Sequence, residues 1–372
     1  MKMLKVAVLP VVILLTTCHV FLGPDPDFSP AGILHSLWND FNEIHAYIDI
    51  RMSTNRYFNN WEEVYEHYKN DLITKTADNG METNRLLFEA CGSMLGQLSD
   101  PHVGLFAPGG ASILYDIDPG FAAERLWFDR WRVREHYLLN GDHPPGGTGG
   151  FMYGIIESAP SVGYIHIPSF RSTGSESWIS AWVEEIDDII TYMHDNNAEA
   201  LILDIRNNEG GSIINMGYIA NRFTSVQRNY LQSSTKNGPG RNDFTVPEIF
   251  MVKPSDVTFT RYTVLLTNKA SVSAAEWFTL AMKTQPHVRH LGTATRGAFS
   301  GRQPRSMING WYYTISAQKV TDMDGICYEG IGVSPESAHV ISGDWGEEQI
   351  PGVYSDRQLN KALEEVLQRL NK

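Results

Sequence analysis

Runs of consecutive apolar residues with no polar alternation mark strands covered on both faces, and such runs recur through the second half of this chain. "ALILDI" at 200–205 and "YTVLLT" at 262–267 are of this kind, and "VGYIHI" at 162–167 and "HVRHLG" at 287–292 join them as strands. Amphipathic helices lie between. Residues 176–194 place Ile179, Trp182, Val183, Ile186, Ile190 and Met193 on one side, and "SIINMGYIANRF" at 212–223 repeats the pattern. Alternating strands and helices predict an α/β core with a mixed sheet and flanking helices. Towards the end, "NGWYYTISAQKV" and "GICYEGIGV" read as a β-hairpin pair, and Leu359, Leu363, Val366 and Leu370 mark a closing helix.

The first hundred residues differ. Leu34, Leu37, Trp38, Phe41 and Ile44 share a helical face, as do Trp61, Val64, Tyr65 and Tyr68, and a third helical run covers 86–98. This predicts a small helical bundle over 31–106. Residues 107–160 are Gly/Pro-rich with Trp127, Phe128 and Trp131 between, and read as a packed aromatic connector with no assigned regular fold. The core then covers 161–372.

Residues 1–18 read as a leader: Lys2 and Lys5 precede an apolar stretch at 6–15 that is too short to span a bilayer. It ends in "LTTC", which resembles a bacterial lipoprotein signal with Cys18 as the lipidated residue. Thr17 stands where that pattern carries Gly, Ala or Ser, so ordinary secretory cleavage nearby is the second reading. Both imply export to the cell envelope, by a membrane anchor in the first case. Residues 19–30 form a tether.

The chain has 372 residues, 42% of them hydrophobic, enough for a sizeable core. Its net charge is −13 and no long basic run appears, which removes the source of phosphate neutralisation that a nucleic-acid binder needs. Apart from Cys18, only Cys91 and Cys327 remain; one disulfide between them is possible, but no zinc-like Cys/His spacing occurs. "TDMDGI" at 321–326 reads as a turn rather than a calcium loop.

Three segments carry residues suited to chemistry. In "TNKASVSAAEWFTLAMK" at 267–283, Ser273 precedes Glu276 by three residues, the form of a capping box. "LDIRNNEGGS" at 203–212 leaves a buried strand through residues that tolerate left-handed backbone, with Gly210 and Gly211 able to expose N–H groups. "LSDPHVGLF" at 98–106 places His102 after a helix, and "CYEGIGVSPE" places Glu329 beside glycines. Ser273, His102 and Glu329 are the types required for a nucleophile, a general base and a carboxylate that orients the base. The Ala274 N–H, at a helix start, is free to face an oxyanion.

Together with "VGYIHIPSF", "LGTATRGAFSG" and "YEGIGVSPE", these segments resemble the C-terminal-processing (tail-specific) serine peptidases, in the branch related to the tricorn core protease and the interphotoreceptor retinoid-binding protein. The resemblance implies a crotonase/ClpP-like α/β fold, without a PDZ insert, and an exported endopeptidase acting on polypeptides. It implies neither metal nor organic cofactor, and leaves the oligomeric state open. It selects Ser273 over Ser271 as nucleophile, His102 as base and Glu329 as its partner. Ala274 and one of Gly210 or Gly211 take the oxyanion positions. In "TRGAFSG", Ala298 stands where the family's Ser–Lys branch carries its lysine. Ser271, Asp204 and Arg206 are expected to be structural. The alternative is a catalytically silent member that binds apolar ligands or peptides.

Overall fold

The computed structural model describes residues 26–76, 82–114, 124–139, 150–171, 177–342 and 355–371. The leader and Cys18 lie outside them. Among the described residues no helix is long and apolar enough to cross a membrane.

The N-terminal part is helical as expected. Helices α1 (Pro30–Ile44), α2 (Ile48–Ser53), α3 (Trp61–Thr76) and α4 (Thr83–Gly96) follow one another, and Ser29 caps α1 by accepting from the Gly32 N–H at 3.1 Å. Leu34, Leu37, Phe41, Trp61, Val64, Cys91 and Met94 meet in one core. That core also takes Trp311, Tyr313 and Ile315, from far along the chain. The reason is a four-stranded antiparallel sheet in the order β10-β11-β1-β2, where β1 is Gly104–Phe106, β2 Ser112–Leu114, β10 Arg302–Ser306 and β11 Tyr312–Ser316. The helices lie on this sheet, so the bundle and the C-terminal region share one apolar interior.

The connector segment is more regular than its composition predicts. Besides β2 it supplies α5 (Arg130–Tyr137) and β3 (Met152–Ile156), and the bulk of its glycines fall outside the described residues. Strand β3 pairs antiparallel with β4 (Ala159–His166) at the edge of a five-stranded sheet that continues through β5 (Ala200–Asp204), β8 (Tyr262–Thr267) and β9 (Val288–Gly292), all parallel to β4. Every residue of β5 is buried, as its unbroken apolar run requires. Helices α6 (Ser177–Asp195), α7 (Ile213–Asn221), α8 (Ala274–Lys283) and α9 (Arg357–Leu370) cover the faces: Ile186, Ile190, Met216 and Phe278 belong to one core, and Leu359, Ala362 and Val366 to another.

The predicted C-terminal hairpin pair is not formed. Strand β11 pairs with β10 and β1, while β12 (Gln318–Asp322) leaves for a separate antiparallel sheet with β6 (Arg228–Thr235) and β7 (Glu248–Val252), so the chain changes sheets at Ala317. Residues 325–333 form no strand, with a turn at 329–331. Gly330 and Gly332 have φ of 80° and 77°, and a Cβ on Gly332 would lie 2.0 Å from the Thr295 carbonyl oxygen. That conformation does not continue a ladder. Cys91 is buried and Cys327 half-buried, and both are free thiols.

The turn expected at "TDMDGI" is present: Asp322 Oδ1 accepts from the Asp324 and Ile326 N–H groups, and Gly325 has φ of 84°. Asp204 and Arg206 are structural, as expected. Arg206 is buried, bonds Asp204 through three contacts and reaches Asp356 at 2.9 Å, which fastens α9 to the end of β5. Phe128 is packed rather than cleft-lining, its ring beneath the Arg206 guanidinium at 4.2 Å.

Candidate active site

Two adjacent parallel strands, β5 and β8, deliver their following loops to the same edge of the sheet, the usual location of sites in α/β sheets. The loops are laced together. Asn268 Oδ1 accepts from the Asn207 and Ala270 N–H groups, Val272 N–H donates to Asn208 O at 3.0 Å, and Ser271 Oγ donates to Ile205 O at 2.8 Å. Ser271 therefore supports the loop, as expected.

Ser273 ends this loop and starts α8 with φ 62° and ψ −119°. That region is costly for a residue with a Cβ, and such strain collects at functional sites. The conformation survives because its surroundings hold it. Glu276, fully buried, accepts from the Ser273 N–H at 3.1 Å, from Thr295 Oγ1 at 2.7 Å and from the N–H groups of Gly297 and Ala298 at 2.6 and 2.7 Å. Burial raises the Glu276 carboxyl pKa, and these donors oppose the rise. The capping-box reading is right locally but incomplete, since Glu276 also braces the 295–298 loop. Ala298 is wholly buried there.

Gly210 packs against the serine: a Cβ on it would stand 2.7 Å from Ser273 Cβ and 2.6 Å from the Val272 carbonyl oxygen. Its own N–H is taken by Asn208 Oδ1 at 2.9 Å. Gly211, with φ of 138°, approaches Phe170 so closely that a Cβ would lie 2.3 Å from the Phe170 carbonyl carbon. In that bridge Phe170 N–H donates to Gly210 O and Ser212 N–H to Phe170 O, which leaves the Gly211 N–H without a partner among the described residues. The Ala274 N–H is likewise unpartnered among the described residues, as expected of a helix start.

Ser273, Ala274, Gly211 and His102 all line one cavity of about 790 Å³, with Trp277 and Phe299 among its apolar walls. His102 arrives on the turn between α4 and β1. Asp100 Oδ1 accepts from its N–H at 2.9 Å, and Thr314 Oγ1 donates to its carbonyl at 2.7 Å. The imidazole is buried, with Nδ1 unpartnered. Burial lowers its pKa to about 4; Arg302 and Arg51 add to the effect and Asp100 opposes it.

Glu329 is buried just behind this wall and has no hydrogen bond to His102. Its Oε2 accepts from the Phe299 N–H at 2.8 Å and its Oε1 pairs with Arg51 Nη2. A guanidinium outcompetes a neutral imidazole for a buried carboxylate. Burial pushes the Glu329 carboxyl up to about 8, with Arg51 opposing and Asp100 adding to the rise.

Arg51, missed from sequence, is central. From α2 it donates to Ser99 O at 3.1 Å and to Gly297 O at 3.2 Å, pairs with Glu329, and stands 3.8 Å from Asp100 Oδ1. Asp100 Oδ2 is bonded by His45 Nε2 at 3.0 Å, while His45 Nδ1 accepts from the Tyr47 N–H at 3.2 Å. The only sign of this in the sequence was a charged residue inside an apolar helical stretch, "AYIDIRMS".

Residues 161–338 match the model of peptidase family S41. This part of the chain is similar to the members of peptidase family S41. A protein of Parabacteroides merdae described as a candidate peptidase shares 25% identity, with a TM-score of 0.73 over 92% of this chain and 98% of its own. The carboxy-terminal processing protease CtpA of Bacillus subtilis is 26% identical over 176 residues, 47% of this chain. That match spans 34% of CtpA, so the chain covers about a third of this curated relative's length. The tricorn protease, at 15% identity and a TM-score of 0.50 over 92% of this chain, is similar in fold.

Proposed function

We propose that the protein is an exported serine endopeptidase in which Ser273 is the nucleophile and His102 the general base. The observation that carries this is the strained Ser273, in one cavity with His102 and with two backbone N–H groups left unpartnered, those of Ala274 and Gly211. Ser273 Oγ attacks a peptide carbonyl carbon as His102 takes its proton, and the carbonyl oxygen becomes an anion received by the two N–H groups. His102 then returns the proton to the leaving amine, and water repeats the sequence on the acyl-enzyme. Because Gly210 N–H is already engaged, Gly211 is the better second donor. Glu329 serves as a positioning residue: it holds the backbone of Phe299, which lines the cavity, and anchors Arg51. Polypeptides are the substrates. The leader supports export, and lipidation at Cys18 is its finer form.

A fluorophosphonate probe tests the reading. It should label the wild-type protein on Ser273 and leave Ser273→Ala and His102→Ala unlabelled, and the same variants should lose casein cleavage. A folded wild-type protein that is neither labelled nor able to cleave peptides would return the chain to the binding-module alternative.

A further inference from the structure

The chain carries a net charge of −13, yet the region around Ser273 is basic. The cavity containing Ser273 is lined by Arg125, Arg171, Arg296 and Arg302, against Glu209 as its carboxylate among the described residues. A second cavity, of about 710 Å³, lies between the N-terminal helices and the loops at 269 and 296–297. It is lined by Arg51, Arg56, Lys269 and Arg296 and, among the described residues, by no carboxylate. The two adjoin, sharing Pro101 and Arg296.

Several of these cations are already paired. Glu209 pairs with Arg125 and Arg171, and Glu329 with Arg51. Arg56, Lys269 and Arg302 have no carboxylate at ion-pair distance among the described residues; Arg302 instead donates to Pro101 O at 2.8 Å. Unpaired cations converging on a concave surface attract and orient anionic groups. The Arg302 guanidinium is lowered chiefly by burial and further by Arg171, with Asp100 opposing, and the depression of His102 by burial includes contributions from Arg302 and Arg51 that Asp100 also opposes.

We infer that the second cavity is a subsite for acidic side chains of the substrate, so that the enzyme selects peptides bearing Asp or Glu on the side of the cut bond that faces the helical bundle. The inference rests on the peptidase reading above. Arg56, exposed beside α2, and Lys269, half-buried at the end of β8, are its solvent-facing contacts.

The test uses the mature full chain and three internally quenched peptides with one apolar centre and flanks of Asp/Glu, Ser/Gln or Lys/Arg. All are amidated, which removes the terminal carboxylate. At low salt the acidic peptide should have the highest kcat/KM, by about tenfold over the neutral one, the size expected of two solvent-facing ion pairs. High salt should erode the ratio. In Arg56→Glu/Lys269→Glu the ratio should fall to one or below, and Arg56→Glu alone, at an exposed position, should halve it or more. The acidic peptide labelled with a fluorophore should also bind Ser273→Ala more tightly than the other two. Cleavage without charge preference, or a preference untouched in both variants, overturns the subsite and leaves the peptidase reading standing. A preference seen only for a neutral peptide with a free C-terminal carboxylate also overturns it. Salt-sensitive binding of the acidic peptide, weakened in the variants but with no peptide cut, upholds the subsite and refutes the peptidase reading.

Discussion

A histidine removed from water is a weaker base than a free one, and His102 is such a residue. Its ordinary pKa is about 6.5. Burial, with Arg302 and Arg51, moves it down to about 4, because the imidazolium has lost its solvation and faces two cations. In the proposed mechanism the neutral form accepts the serine proton, so lowering the pKa would extend activity towards acid. The expected kcat/KM profile is flat between about pH 5 and 7 and falls as pH drops through about 4. Steady-state cleavage of one neutral peptide across that range checks it. An acid limb centred at 6 to 7 would mean that the ring is solvated or faces a carboxylate not engaged elsewhere. At this scale the sequence brought together residues that share a cavity but was poor about their partners. Ser273 and His102 could be read from residue type and motif order, and they line one cavity. The bond between Glu329 and His102 could not be judged without knowing that Arg51, 278 residues away in sequence, takes the same carboxylate.

Among the elements, strands and helices with strong apolar periodicity were legible to within a few residues: β5, β8, α6 and α9 stand where their patterns placed them. Failures fell where backbone geometry, not burial, decides. The segment at 325–333 alternates like a strand but contains three glycines at positive φ, and 309–320, read together as one arm of a hairpin pair with it, divides between β11 and β12 because sheet membership is not encoded in either strand. The loop at 205–212 illustrates what only the fold reveals. Both glycines looked equivalent as oxyanion donors, yet one N–H is occupied by Asn208 and the other is not. Gly210 is instead required for space. Gly210→Ala would put a methyl group 2.6 Å from the Val272 carbonyl oxygen and 2.7 Å from Ser273 Cβ, at φ of 75°. The Val272 carbonyl and the Ala274 nitrogen are backbone, and Ser273 Cβ is fixed to it, so none can swing aside. Overpacking costs about 1–3 kcal/mol, and left-handed backbone at an alanine adds about 1–2 kcal/mol. The protein should remain folded but less stable by about 2–4 kcal/mol in urea titration. Displacement of Ser273 should lower peptide turnover by roughly a hundredfold. Full activity in Gly210→Ala would show that this loop is not rigidly packed on the serine.

Across the whole molecule, the N-terminal helices are not a passive attachment. They share a core with β11, and α2 sends Arg51 into the space between the His102 turn, the 297 loop and Glu329. Two buried carboxylates, Asp100 and Glu329, depend on this guanidinium, and Asp100 is held well below the usual carboxylate range by Arg51 and His45 despite its burial. Arg51→Met removes the shared cation and leaves both acids uncompensated, which should destabilise the protein by about 3–5 kcal/mol. Glu329→Gln in the same chain removes one of those buried acids, so the double variant should recover part of that loss. It should not recover activity, because the carbonyls of Ser99 and Gly297 still lack the donor that ties the base's turn to the serine's loop. A shift of about 1 Å between nucleophile and base suffices for a hundredfold loss. Glu329→Gln alone keeps Arg51 and should fall between wild type and the double variant. Urea unfolding and peptide kinetics on the three variants separate these effects. The pH profile adds a readout that general loosening would not supply: Arg51 is one of the charges depressing His102, so the acid limb in Arg51→Met should move upward from about 4. A stable, active Arg51→Met protein with an unmoved acid limb would detach the helical bundle from catalysis and return it to a purely structural role.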